Sequence, residues 1–129
     1  MRAFTYEALP GRVVFGAGAV SQVAEEIDRL QKKRALLIVT RSAARLVPSL
    51  TEQLGESLAG VFNEVVQHIP ASIVEKAQTT AVDTGTDCIV TVGGGSAIGL
   101  GKALALKIDA PIIAIPTTFS GSEMTPIYG

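Results

Sequence analysis

Continuous apolar runs and helix-period stripes take turns along this chain. Ala35-Leu36-Leu37-Ile38-Val39 and Cys88-Ile89-Val90-Thr91-Val92 have almost no polar position, which predicts strands covered on both faces. Residues 61–66 and 111–115 read as two further strands. Between these runs, Val20, Val23, Ala24, Ile27 and Leu30 recur at helical spacing with charges among them. Pro48 opens a predicted helix over 49–58, where Ser49 and Glu52 have capping-box spacing. Ser72 and Glu75 repeat that spacing, Ile73, Ala77 and Ala81 then share one face, and Gly85 supplies a stop. A helix over 96–107 follows. Residues 4–9 and 12–15 flank the turn dipeptide Pro10-Gly11 and predict an N-terminal β-hairpin.

The alternation predicts an α/β fold, a doubly wound, Rossmann-like parallel sheet with right-handed crossovers. Nothing along residues 1–129 reads as a linker or repeat, so one domain is expected. Ligands bind such sheets outside the carboxyl ends of the strands. Thr40-Arg41-Ser42, Gln67-His68-Ile69-Pro70, Gly93-Gly94-Gly95-Ser96 and the stretch 117–122 all follow predicted strands. Four loops thereby converge on one edge.

Composition narrows the partners. Hydrophobic residues make up 47% of the chain, yet no apolar run reaches membrane-spanning length. The opening Met1-Arg2-Ala3-Phe4-Thr5-Tyr6-Glu7 lacks the apolar stretch of a secretory signal. A single cysteine excludes an internal disulfide framework and makes a cytoplasmic location the expectation. Net charge −1 argues against a nucleic-acid or membrane partner, and one histidine with one cysteine argues against a metal site of ordinary ligand spacing.

The chemistry concentrates after the run 88–92. A strand, three glycines, Ser96 and a helix of small first residues form a ready anion site. Helix N-termini carry unpaired N–H groups and partial positive charge, and glycines let a phosphate come close. The dinucleotide fingerprint G-x-G-x-x-G fails, because Ile98 stands where the third glycine belongs. The P-loop pattern also fails: the spacing from Gly95 to Gly101 is too long, and Ala103 follows Lys102. Gly16-Ala17-Gly18, with Ser21 in the third-glycine slot, reads as a tight turn into a helix. In Pro116-Thr117-Thr118-Phe119-Ser120-Gly121-Ser122-Glu123 the proline ends a strand and leaves four hydroxyls in a short loop. If strands 88–92 and 111–115 are neighbours, those hydroxyls lie beside the glycines.

Together these residues resemble the iron-containing alcohol dehydrogenase superfamily, most closely its maleylacetate reductase branch. The resemblance covers essentially the whole chain. It rests on Arg12-Val13-Val14-Phe15-Gly16-Ala17-Gly18, on Gly93-Gly94-Gly95-Ser96 and on Pro116-Thr117-Thr118. It implies an NADH or NADPH cofactor, its pyrophosphate at Gly94, Gly95 and Ser96 and its nicotinamide side near Thr117 and Thr118. The full candidate set adds Arg41, Gly93, Ser120 and Ser122. Many alcohol-oxidising members carry aspartate where this chain has Gly99, and a hydroxyl loop one residue longer; both differences resemble the maleylacetate reductases. The shorter loop leaves open whether Ser120 or Ser122 replaces a family threonine. NAD-preferring relatives often carry aspartate at Arg41, and an arginine there can instead pair with a 2′-phosphate.

The resemblance further implies that residues 1–129 are the N-terminal NAD(P)-binding domain of a longer, homo-oligomeric (dimeric) two-domain enzyme. The family's all-helical catalytic half, with its substrate site, would lie beyond Gly129. The expected reaction is hydride transfer to maleylacetate, giving 3-oxoadipate in aromatic-compound breakdown. A metal-dependent alcohol or glycerol dehydrogenase and a non-catalytic nucleotide-binding module are the alternatives. Among other candidates, His68 reads as a solvated loop residue, Cys88 as core, Tyr6 as packing and Glu123 as a loop organiser. Lys102 stands open between anion binding and orienting the helix.

Overall fold

The computed structural model describes residues 3, 5 and 11–125. Strands β1 (Ala35–Val39), β2 (Leu58–Phe62), β3 (Cys88–Gly93) and β4 (Ile112–Pro116) form one sheet in the order β2-β1-β3-β4, every pair parallel. Helices α1 (Val23–Arg29), α2 (Val47–Leu54), α3 (Ala71–Asp83) and α4 (Gly95–Ile108) cover it. The central strands β1 and β3 are buried at every position, as their unbroken apolar runs require.

Side chains of a strand point alternately to its two faces, which divides the core in two. Leu37, Val39, Val90 and Val92 pack with Val23, Ile27, Leu50 and Leu54 of α1 and α2. Leu36, Ile38 and Ile89 face the other way, against Ala77 and Ala81 of α3 and Leu100 and Leu104 of α4. The sheet is therefore doubly wound, as predicted, with the winding changing direction between β1 and β3.

Three local expectations need correction. Ser49 and Ser72 do not cap helices. A 3-10 segment, Arg41–Leu46, runs directly into α2, so the chain is already helical at Ser49. At α3 the proline acts instead: the Pro70 carbonyl accepts the N–H groups of Ile73 and Val74, and Ser72 falls inside the first turn. Helix α2 also ends at Leu54 rather than 58, because Gly55 turns the chain at φ +53° and Leu58 must enter the sheet opposite Ala35, so the strand expected over 61–66 runs Leu58–Phe62 instead. Of the expected hairpin, residues 12–15 carry no strand, and residues 4 and 6–9 lie outside the described residues.

The edge of the sheet away from the strand C-termini is fastened by Asp87, whose carboxylate accepts the backbone N–H groups of Lys33 and Arg34 at 2.9–3.2 Å. Arg34 in turn donates to the Thr84 carbonyl at the end of α3. Gln53 links α2 to α1, accepting the Ala24 N–H at 2.8 Å and donating to the Val20 carbonyl at 3.1 Å. No helix among the described residues is long and apolar enough to cross a membrane.

Candidate functional site

The strand register lines up the loops that carry the predicted chemistry. Val39 pairs with Val92 and Gly93 with Pro116, so Thr40, Gly93 and Thr117 emerge side by side. The Thr40 N–H donates to the Val92 carbonyl at 3.1 Å, and the Thr117 N–H to the Gly93 carbonyl at 2.9 Å. This is the point where the winding reverses, the crevice at which doubly wound sheets accept ligands.

Each motif glycine answers a different demand. At Gly93 φ is +149°, and a Cβ would lie 2.5 Å from Thr40 Oγ1. At Gly94, the N-cap of α4, a Cβ would lie 2.9 Å from Thr118 Oγ1. These two glycines let the β1 and β4 loops close on the turn. Gly95 differs: a Cβ there would meet only Ser120, at 3.5 Å, an ordinary contact. The fold itself would therefore tolerate a Cβ at Gly95, the first residue of a fourteen-residue helix, where Thr118 and Ser120 stand against the turn. A phosphate at the groove where the β4 loop meets this helix N-terminus would find N–H and hydroxyl donors, and the macrodipole favours an anion.

Ser96 and Gly95 line a cavity of about 460 Å³ with Gln67, His68, Ile69, Val74, Gly99 and Ala103. The β2 loop thus meets the glycine turn, and His68, in a left-handed conformation at φ +51°, stands at that cavity. A Cβ at Gly99 would come within 3.3 Å of Ile69 Cδ1, so the cavity wall relies on glycine there. Arg41 is exposed at the start of the segment after β1, while its neighbour Ser42 shares a 3.2 Å hydrogen bond with Thr40.

The hydroxyl loop divides its roles. Thr118 and Ser120 face Gly94 and Gly95. Ser122 instead accepts from Lys102, whose Nζ donates to the Ser122 carbonyl and, at 3.1 Å, to its Oγ. The Ser122 N–H donates to Ser120 Oγ at 3.3 Å. Residues Ser122–Met124 form a single 3-10 turn, entered through Gly121 at φ +79°. Burial pulls the Lys102 ammonium below its ordinary pKa, opposed by the nearby Glu123 carboxylate. The spacing of Lys102 from the glycines hints at this helix-side position, but only the fold reveals its partner.

The remaining candidates are settled locally. Cys88 is fully buried, and that burial pushes its thiol up to about 11. At the earlier glycine turn, Ser21 Oγ donates to the Gly18 carbonyl at 2.8 Å, so its hydroxyl completes the turn. Arg12, just before it, makes a two-nitrogen contact with Glu26 of α1, which holds that carboxyl below its ordinary range. Tyr6 lies outside the described residues.

A parallel sheet with a glycine turn, a following helix and a Pro-Thr-Thr loop at its switch point is a family-level arrangement, and the comparisons agree. The profile for "Iron-containing alcohol dehydrogenase" matches residues 10–129, and the chain belongs to that family. A maleylacetate reductase from Rhizobium sp. strain MTP-10005 is 46% identical over all 129 residues, which are 37% of its own length. The crystal structure of maleylacetate reductase from Agrobacterium tumefaciens superposes with a TM-score of 0.93 at 47% identity, covering 100% of this chain and 37% of that one. A putative alcohol dehydrogenase from Ralstonia eutropha JMP134 superposes with a TM-score of 0.95 at 49% identity, covering 100% of this chain and 36% of that one. The chain thus spans a little over a third of the length of these relatives.

Proposed function

We propose that this chain is the dinucleotide-holding part of an NADH- or NADPH-dependent reductase that converts maleylacetate to 3-oxoadipate. The observation that carries this reading is the turn at the α4 N-terminus, where Gly94 and Gly95 present bare backbone with the Thr118 and Ser120 side chains standing against it. Backbone N–H groups there, with Ser96, would hold the pyrophosphate, and Thr117 and Thr118 would border the nicotinamide half. A bound reduced nicotinamide supplies a hydride. This chain's residues bind and orient its carrier, while the acceptor's own site is left to residues outside this chain. Relatives named maleylacetate reductase at 46–47% identity support the choice of substrate. Gly99 supports it too, standing where many alcohol-oxidising members carry aspartate, whose Cβ would crowd Ile69 Cδ1 at 3.3 Å.

Arg41, exposed just after β1, would pair with the 2′-phosphate of NADPH if it faces the adenine ribose, so the reading includes NADPH binding at least comparable to that of NADH. The test is one purified sample assayed twice, by NADH fluorescence titration and by NADH oxidation with maleylacetate. Saturable binding without substrate-dependent oxidation is the expected pair. Steady turnover would move the catalytic groups into this chain, and preference for ATP or ADP over both dinucleotides would favour a non-catalytic nucleotide module.

A further inference from the structure

Lys102 lies about two turns into α4, too far along the helix for its backbone to join the glycine turn. Its ammonium nevertheless reaches the β4 loop. It donates to the Ser122 carbonyl, to Ser122 Oγ at 3.1 Å and to Thr125 Oγ1 at 3.4 Å. From Ser122 the contacts run toward the groove: its N–H holds Ser120 Oγ, and Ser120 stands against Gly95. Glu123 Oε2 is buried beside this cluster without a hydrogen-bond partner among the described residues, which makes a nearby positive charge more valuable there. These oxygens tie the ammonium to the loop.

We propose that Lys102 is a positioning residue, fastening the hydroxyl loop to α4 and thereby fixing where Thr118 and Ser120 stand against Gly94 and Gly95 at the helix N-terminus that would receive the phosphate. It acts through Ser122 and Ser120 and makes no phosphate contact of its own. The proposal rests on the dinucleotide reading above. A lysine touching phosphate would instead lower affinity on removal by losing a charge, and would flatten the salt dependence of binding.

The experiment compares Lys102→Met, Lys102→Arg, Ser122→Ala and the Lys102→Met/Ser122→Ala double variant, each first shown to be folded by far-UV circular dichroism. NADH dissociation constants are measured at several salt concentrations, and amide hydrogen exchange is measured without ligand. Losing charge-assisted hydrogen bonds predicts roughly 10- to 100-fold weaker binding for Lys102→Met. The double variant should be little worse than Lys102→Met, the arginine should recover part of the loss, and the salt slope should not change. Exchange should quicken over 117–125 in Lys102→Met while α4 keeps its protection. Additive losses with a reduced salt slope would overturn the proposal in favour of direct phosphate contact. Affinity within twofold of wild type, or unaltered exchange over 117–125, would overturn it outright. Failure of the wild-type chain to bind dinucleotide would defeat the cofactor reading itself, a result distinct from these.

Discussion

Replacing Gly95 by alanine separates a glycine needed by the fold from one kept for a ligand. The added Cβ lies 3.5 Å from the nearest atoms of Ser120, an ordinary contact, and residue 95 is the first of α4, where alanine is a better helix former. Removing glycine's backbone freedom there should leave the ligand-free chain unchanged or stabilised by up to about 0.5 kcal/mol, the low end of the glycine penalty. The methyl nevertheless occupies the groove that a phosphate would enter. Displacing the phosphate from one or two charge-assisted N–H contacts costs about 1.5–3 kcal/mol each, so NADH affinity should fall at least tenfold. Gly93→Ala serves as the contrast. Its φ of +149° and a Cβ 2.5 Å from Thr40 Oγ1 predict about 1–3 kcal/mol of destabilisation before any ligand is added. Urea unfolding and NADH fluorescence titration on the same preparations read both quantities. If Gly95→Ala loses stability as Gly93→Ala does, the groove is a packing feature. If it is stable and binds NADH as wild type does, the phosphate lies elsewhere and the glycine turn has been misread.

Four further outcomes follow from particular contacts. Gly101→Ala should destabilise by about 1–3 kcal/mol in urea unfolding, because its Cβ would run into Thr91 Cγ2 where α4 lies on β3, and Thr91→Ser should restore part of the loss. Arg41→Asp should shift the ratio of NADPH to NADH affinity more than tenfold toward NADH, a phosphate contact being worth about 1.5–3 kcal/mol; a ratio within twofold would mark Arg41 as solvated surface. With its pKa pushed up to about 11, the Cys88 thiol should stay unreactive toward a disulfide reagent at pH 8 until urea unfolds the chain; rapid labelling of the folded protein would contradict its burial. Asp87→Ala should cost about 0.5–1.5 kcal/mol of stability by removing its hydrogen bonds to the exposed Lys33 and Arg34 N–H groups, with NADH affinity unchanged because the tie lies at the far edge of the sheet.

Much of the fold is legible in the chain because its signals are local. The apolar runs at 35–39 and 88–92 could be satisfied only by strands covered on both faces, and the glycines at 85 and 93–95 punctuate the backbone wherever they stand, whereas the stop at Gly55 went unread. The family motifs likewise sit in contiguous residues. Helix starts were harder to read, because a serine and glutamate at capping-box spacing say nothing about whether the preceding residues are already helical; the 3-10 segment before α2 and Pro70 before α3 took that role from Ser49 and Ser72. Tertiary structure alone decided which hydroxyl faces which glycine. Parallel pairing of β1, β3 and β4 brings Thr40 against Gly93 and Thr118 against Gly94, contacts between residues far apart in sequence. It also turned Ser122 toward Lys102 and set Ser120 at ordinary contact distance from Gly95, since the room around a backbone atom depends on every loop that closes over it.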